Sequence, residues 1–424
     1  MGSIEYGVIQ LSTVSLVQAI PYEFASSMNF RLTRFQVIAA ILLISGCSTL
    51  LHQELLAQNP TQLQDEADDN AIRIATFNAS LYGKQSGQVL TRLRGGKNRQ
   101  AIDLASIVQS VRPDILLVNE IDYDNGGKTV GAFADEYLEI GHHGLTALKY
   151  PYRYAIPSNT GQPSMLDLDG NGKSTDANDA WGYGIYPGQY AMAVYSRFPI
   201  VKSDIRTFQN YRWSQLPSAL RPTFPKTGKP YYTDKVWEQL RLSSKNHTDV
   251  PIQVGTRIVH LLASHPTPPV FDGADDHNGC RNHDEIRFWT DYLAGPSSTY
   301  LIDDNGKAGG LPDKALFVIA GDLNSDPESG DSRRSAIQAL LKDSKLRDSN
   351  PVSIGASELA GKDTSHATAI FGKGRQMRID YVLPSRGLAL KDTGVFWPSR
   401  KDRESQWVGA TDHRMVWIEV ELRP

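Results

Sequence analysis

The chain has 424 residues, a net charge of -3, 40% hydrophobic residues and 21% charged ones, the profile of an ordinary globular protein with ample core. No basic excess offers a broad face to a nucleic-acid backbone, which leaves only a local groove for such a partner. The two cysteines, Cys47 and Cys280, build neither a disulfide scaffold nor a thiolate zinc site.

From Met28 the chain runs Met-Asn-Phe-Arg-Leu-Thr-Arg-Phe, then from Val37 to Ile44 without a polar residue, then through Ser45 and Gly46 to Cys47. A basic start, a short apolar run and small residues before a cleavage point are the parts of an export signal. The apolar run falls well short of the roughly 20 residues that span a bilayer as a helix. Ile44-Ser45-Gly46-Cys47 resembles the bacterial lipobox, with Ile44 where Leu is commonest. That resemblance implies a lipidated Cys47, export to the periplasm or cell surface, and attachment to the membrane through an N-terminal lipid. The alternative is a short buried helix carrying a chance cysteine. Residues 1–27 lack this grammar, so Met28 is the expected initiator and residues 1–47 the expected leader. The polar residues of 48–70 read as a tether.

The expected domain covers residues 71–424. Ile72 to Phe77 alternates with period two and reads as a strand ending on Asn78. After a Gly-rich, basic loop (Arg92 to Arg99), the residues Ala101, Leu104, Ala105, Val108 and Val111 fall at helical spacing, and Pro113 stops the helix. Ile115 to Val118 forms a second buried strand ending on Asn119-Glu120. A strand, crossover helix, strand unit places Asn78 and Glu120 on neighbouring strand ends. An amide oxygen beside a carboxylate makes a hard donor pair suited to Mg2+ or Mn2+.

Later runs repeat the device. Tyr190 to Tyr195 leads into Ser196-Arg197, and Ile258 to Ala263 leads through Ser264 to His265. A lone histidine after a strand reads equally as structural. Ala315 to Ala320 is an apolar run that stops at Gly321 and delivers Asp322 and Asn324 before the Asp326-Pro327 turn. The pair either caps the turn or stands at the rim of a core. Arg378 to Leu383 sets Asp380 inside a strand pattern, where an unpaired carboxylate is costly. Asp412-His413, before the last strand from Met415 to Leu422, supplies an imidazole that such an aspartate can hold in the tautomer fit for general-base work.

Asn78, Glu120, His265, Gly321-Asp322-Leu323-Asn324, Arg378-Ile379-Asp380-Tyr381 and Asp412-His413, in this order, resemble the endonuclease/exonuclease/phosphatase superfamily over about Ile72 to Leu422. That superfamily includes DNase I-like nucleases, abasic-site endonucleases, inositol polyphosphate phosphatases and sphingomyelinases. The resemblance implies a DNase I-like α/β fold, a four-layered α/β sandwich of two mixed sheets packed face to face with helices outside. It implies that Glu120 is the principal metal ligand, Asn78 its neighbour, and Asp412 a group beside the metal. His413 is implied to be the base that activates water and Asp380 to orient it. Asp322 is implied to position that water, and Asn324 and His265 to hold the phosphoryl oxygens. Ser80 stands where some nucleases of the superfamily place an additional acidic ligand.

Asp167, Asp169 and Asn171 alternate as in a calcium loop with Gly172 at its sharp turn, but Asn178 occupies the position of the usual bidentate glutamate. Calcium binding and a plain Asx-rich turn are both open here. Asn282 or Asp284 is expected to cap a helix carrying Ile286, Trp289 and Leu293, with Arg281, His283 and Glu285 in surface pairs. A sharper reading makes Arg281 or His283 a phosphate contact. Cys280 is expected to be a free thiol among polar residues. The leading functional expectation is a monomeric, Mg2+- or Mn2+-dependent phosphoester hydrolase, a phosphatase or phosphodiesterase of extracytoplasmic phosphate compounds. The alternatives are an exported DNA or RNA endonuclease and a non-catalytic calcium-binding surface lipoprotein.

Overall fold

The computed structural model describes residues 71–362 and 365–422. The expected leader with Met28 and Cys47 and the tether of residues 48–70 lie outside the described residues. Within them the strands are, in chain order, β1 (Ala71–Leu81), β2 (Ile115–Ile121), β3 (Tyr152–Ile156), β4 (Met192–Ser196), β5 (Arg206–Thr207), β6 (His247–Val254), β7 (Arg257–Ser264), β8 (Leu316–Asp322), β9 (Ala369–Phe371), β10 (Arg375–Met377), β11 (Asp380–Pro384), β12 (Leu388–Val395) and β13 (Val416–Leu422). One sheet has the order β12-β13-β1-β2-β4-β3, a second has the order β11-β8-β7-β6-β5, and β9 with β10 makes a separate hairpin.

Each large sheet contains one parallel pair, β1 with β2 and β7 with β8, among antiparallel neighbours. A parallel pair needs a long crossover, and the helices Arg99–Val111 and His277–Leu293 provide them. The first starts where the Asn98 side chain accepts a hydrogen bond from the Ala101 N–H at 2.9 Å. It ends at Arg112, whose φ of 55° turns the chain before Pro113. The second begins at His277, not at Asn282 or Asp284 as expected. The earlier Asp272 carboxylate accepts from the first-turn N–H groups of Asn278 at 2.9 Å and Gly279 at 3.4 Å, so the start is already satisfied. Asn282 and Asp284 are instead buried further along the helix.

Alternation along the strands divides their side chains between two faces. Ile72, Ile74, Ile115, Leu117 and Val194 of the first sheet meet Ile252, Leu261, Val318 and Ala320 of the second in a central core. On its other face the first sheet buries Phe77, Leu116, Val118 and Tyr195 with Leu104, Ala105 and Val108 of the crossover helix. On the far side of the second sheet Leu262, Phe317, Ile319 and Leu383 pack with Phe288, Trp289, Ile337 and Leu340. Two mixed sheets face to face with helices outside give the expected four-layered α/β sandwich. The carboxyl ends of both parallel pairs lie at one edge, and Asp380 joins them because it opens β11 directly opposite Asp322. It therefore stands at the strand end and not inside it.

His247, the first residue of β6, is buried and neutral. Its Nε2 donates to the Glu285 carbonyl at 2.7 Å, while Nδ1 faces the Ser243 hydroxyl. Burial pushes its pKa down to about 4 against the opposing field of Glu285. Between an unfolded value of about 6.5 and that folded value, the unfolded chain binds a proton that the folded chain does not. Stability is thus present above pH 6.5 and lost as pH falls towards 4, with a slope approaching 1.4 kcal/mol per pH unit. Urea unfolding from pH 7 to 4.5 should show the wild type losing about 2 kcal/mol more than His247→Gln. Equal losses in the two proteins would remove His247 as the cause.

Candidate active site

The expected catalytic and metal-binding residues converge on the Asp322 carboxylate or its immediate partners, Asp412 from the rim. Asn78, near the end of β1, donates from Nδ2 to Asp322 Oδ2 at 3.0 Å. The Asn324 N–H donates to Oδ1 at 2.9 Å, and its side-chain amide donates to the Pro266 carbonyl at 3.1 Å, tying the β8 loop to the β7 loop. His265 Nε2 lies 3.4 Å from Asp322 Oδ2 and 4.0 Å from Glu120 Oε1. His413 Nε2 lies 3.7 Å from Asp322 Oδ2, while its Nδ1 contacts both Asp380 oxygens at 3.1 and 3.0 Å. Asp380 accepts in turn from the Thr368 hydroxyl at 2.8 Å. An ionised carboxylate only accepts, so Asp380 keeps a proton on Nδ1 and aims Nε2 at the site. Asp412 stays at the half-exposed rim, 3.9 Å from His413 Nε2 and 3.3 Å from the Ser80 hydroxyl.

Burial of so many carboxylates shapes their titration. Burial is the main cause that raises Glu120, against the fields of His413 and Lys245. It also pushes Asp322 up to about 7, helped by the Asp380 and Glu120 charges and opposed by His413. Burial alone would depress His413, but the facing Asp380 and Asp322 carboxylates push it up to about 10. His265 is held well below its ordinary value, first by burial and then by Lys245 and His413. Its Nδ1 is buried without a hydrogen-bond partner among the described residues. The ligand atoms of Glu120, His265 and Asp322 lie within 4.8 Å of one another, and those of Asp322, Asp380 and His413 do the same.

The sequence matches the model of the Endonuclease/Exonuclease/phosphatase family over residues 75–413. The chain belongs to that family. Similar solved structures include an endonuclease/exonuclease/phosphatase from Beutenbergia cavernae DSM 12333, at 16% identity over 83% of this chain and 72% of the other, with a TM-score of 0.46. Sphingomyelinase C from Streptomyces griseocarneus is similar at 17% identity over 82% of this chain and 99% of its own, TM-score 0.43. The human Nocturnin catalytic domain with bound sulfate anion is similar at 13% identity over 84% and 94%, TM-score 0.39. No curated protein matches the sequence. As a member of the Endonuclease/Exonuclease/phosphatase family the protein is a hydrolase acting on phosphoester bonds, and enzymes of that family depend on a divalent metal.

The donor set of this family member fits such a metal. Asp322 is buried and Glu120 largely so, and burial raises both carboxylates in spite of His413 and Lys245 beside them, so a divalent cation would find two hard, crowded oxygen donors there. Some residues depart from expectation. Arg281 takes no part, because its guanidinium donates to the carbonyls of Leu242, Trp181 and Arg241 at 2.9, 2.6 and 2.9 Å. His283 is held between Asp284 Oδ1 and the Ser335 hydroxyl, at 3.0 and 3.1 Å. Glu285 forms no surface pair: it is buried and accepts from the N–H groups of Ser244 and Thr267, both at 2.6 Å. Cys280 is free but lies in the apolar core, where burial raises its thiol to about 11. In the Asp167 loop, Asp179 joins Asp167 and Asp169 within 4.8 Å. Asn171 itself sits in an Asx turn, its N–H donating to both Asp167 and Asp169. Sequence reasoning missed Lys245, a buried lysine in the field of Glu285, Glu120 and Asp322 whose amine burial depresses. No motif marks it, since lysine is read as a surface residue by default.

A divalent cation bound at this centre should stabilise the fold by about 2.7 kcal/mol at a hundredfold excess over Kd. Thermal unfolding with and without Mn2+ checks it: the wild-type midpoint rises, and Glu120→Gln loses most of the rise. An equal rise in both proteins would place the ion elsewhere.

Proposed function

We propose that the protein is a divalent-metal-dependent hydrolase of small phosphoesters, a phosphatase or phosphodiesterase, in which His413 activates the attacking water. The observation that carries this reading is the buried Asp380–His413–Asp322 chain facing Glu120. Glu120 and Asn78 hold the metal in this proposal, with Asp412 beside it. When bound, the metal supplies positive charge to the phosphoryl oxygens and to the crowded carboxylates. Asp380 retains the proton on His413 Nδ1; the facing carboxylates hold the metal-free imidazole protonated, and with their charge taken up by a bound cation Nε2 is free to take a proton from water. Asp322 accepts a hydrogen bond from that water and aligns it for in-line attack. Asn324 and His265 donate to the non-bridging oxygens, where fixed donors stabilise charge that grows in the transition state. His265 suits this role because a neutral imidazole can donate from the nitrogen that faces the centre.

Two features support a small substrate over a nucleic-acid strand. The net charge is -3, and among the described residues no loop at the site interleaves basic and aromatic residues in the manner of a strand-binding groove. Export with a lipid anchor on Cys47, and action as a monomer, belong to the same proposal. No helix among the described residues is long and apolar enough to cross a membrane.

With Mn2+ or Mg2+, the purified protein should release p-nitrophenol from p-nitrophenyl phosphate or its bis-ester, and His413→Ala should lower kcat about 10²–10⁴-fold. Nicking of supercoiled plasmid that needs His413, with both small esters untouched, would make the protein a nuclease instead. Cys47→Ser should move the protein expressed in a bacterium from the membrane fraction to the soluble one. Unchanged fractionation would defeat the anchor.

A further inference from the structure

Glu120 stands near the end of β2, flanked by β1 and β4, and each flanking strand carries a tyrosine at its end. Leu81 of β1 is the register partner of Ile121, and Tyr82 follows it directly. On the other side the Ile121 N–H donates to the Ala191 carbonyl at 3.1 Å, and Tyr190 directly precedes Ala191. Two strand spacings separate these backbones by about 10 Å. The rings of Tyr82 and Tyr190 nevertheless meet at 4.6 Å between centroids. They therefore lean towards each other across the end of the strand that carries Glu120.

This ring pair is held in place but left open. Tyr186 donates its hydroxyl to Asp122 at 2.6 Å and accepts from the Gly83 N–H at 3.0 Å, while the Gln189 amide donates to the Gly83 carbonyl at 2.8 Å. Those bonds fasten the loop before Tyr190 to the turn after Tyr82. By contrast, the Tyr82 and Tyr190 hydroxyls make no hydrogen bond to any described residue. Tyr82 is 37% exposed, and Tyr183 and Ile185 of the same loop are 56% and 62% exposed, continuing the apolar surface outward. Two aromatic rings inclined at 57° to each other beside the strand end that carries Glu120, one of them 37% exposed, offer a face to a flat group that brings its own π-system.

We infer that Tyr82 and Tyr190 form a stacking subsite for a planar aromatic substituent of the phosphoester, a nucleobase or an aryl group, next to the phosphoryl position. This rests on the reading of the centre as a phosphoesterase site. It makes the substrate class one of aromatic esters as against sugar or polyol phosphates.

Equilibrium binding tests the subsite independently of turnover. Calorimetry on the Mn2+-loaded protein would compare phenylphosphonate with methylphosphonate, and adenosine 5′-monophosphate with ribose 5-phosphate, in a His413→Ala background that prevents turnover. The planar member of at least one pair should bind about tenfold tighter, the size of one stacked ring. Tyr82→Leu and Tyr190→Leu should erase that ratio, and Tyr82→Phe should keep it. A preference for the phenyl pair alone assigns an aryl ester, and for the nucleotide pair alone a nucleobase. Ratios near one in both pairs, no binding of any of the four, or a preference that survives both leucine variants would overturn the subsite. Failure of the unsubstituted protein to hydrolyse any ester would instead overturn the phosphoesterase reading, and the binding ratios would still decide the subsite by themselves.

Discussion

The site depends on one hydrogen bond that crosses from one sheet to the other. Asn78 belongs to the sheet built on β1 and β2, and Asp322 to the sheet built on β7 and β8, yet the Asn78 amide reaches the Asp322 carboxylate at 3.0 Å. A buried carboxylate left unpaired would be costly, so this contact fixes the relative height of the two sheets at the edge where both parallel pairs end. His265 and His413 then come to the same carboxylate from two further segments, and the Asn324 N–H closes on it from its own loop. Face-to-face packing of apolar residues brings the sheets together, but apolar packing is tolerant of small slides. A directional bond between named atoms is not.

The helix His277–Leu293 holds the second sheet's loops from behind. Glu285 accepts from the backbone at Ser244 and Thr267, so it joins the segment carrying Lys245 to the segment carrying His265. Three residues earlier, one turn back on the same face, Asn282 donates to the carbonyls of Thr267 at 2.9 Å and Leu323 at 3.0 Å, joining the His265 loop to the Asn324 loop. Lys245 lies buried in the field of Glu285 within this packing. Thr368 performs the matching task on the other side: its hydroxyl accepts from the Ile379 and Asp380 N–H groups, both at 3.0 Å, and donates to Asp380. Glu285, Asn282 and Thr368 thereby fix the strand ends and loops that carry His265, Asn324 and Asp380.

What could be read from the sequence follows from where the information sits. Strand ends that carry Asn78, Glu120, His265 and Asp322 were legible because apolar runs of strand length stop at polar residues, a local pattern. The four layers followed once the strand and crossover order was set. Asn282, Glu285, Lys245 and Thr368 were not legible in the same way. Their importance comes from burial and from which backbone groups they meet, and both depend on contacts remote in sequence. Glu285 shows the difficulty: it lies 18 residues from Thr267 and 41 from Ser244, and on a helix its residue type alone points to solvent. The helix start failed for a related reason, since Asp272 caps from a loop several residues ahead of the turn it serves.

Backbone conformation adds a last constraint. Ser80, Glu120, Tyr190 and Asn324 have φ of 45°, 58°, 56° and 52°, in a region that costs most side chains about 1–2 kcal/mol. Asparagine tolerates it, whereas a glutamate and a tyrosine do not without support. All four stand at or next to a strand end at the site edge, where a left-handed residue turns the chain out of the regular pleat. Glycine would relieve the backbone at every one of them but would remove a donor, a carboxylate or a ring. The strain is thus located where the side chains matter, and the continuous ladders of β1, β2, β7 and β8 beneath it, with their apolar core, offset it. Stability is built in the strands and function at their ends, and the same few residues mark the boundary between the two.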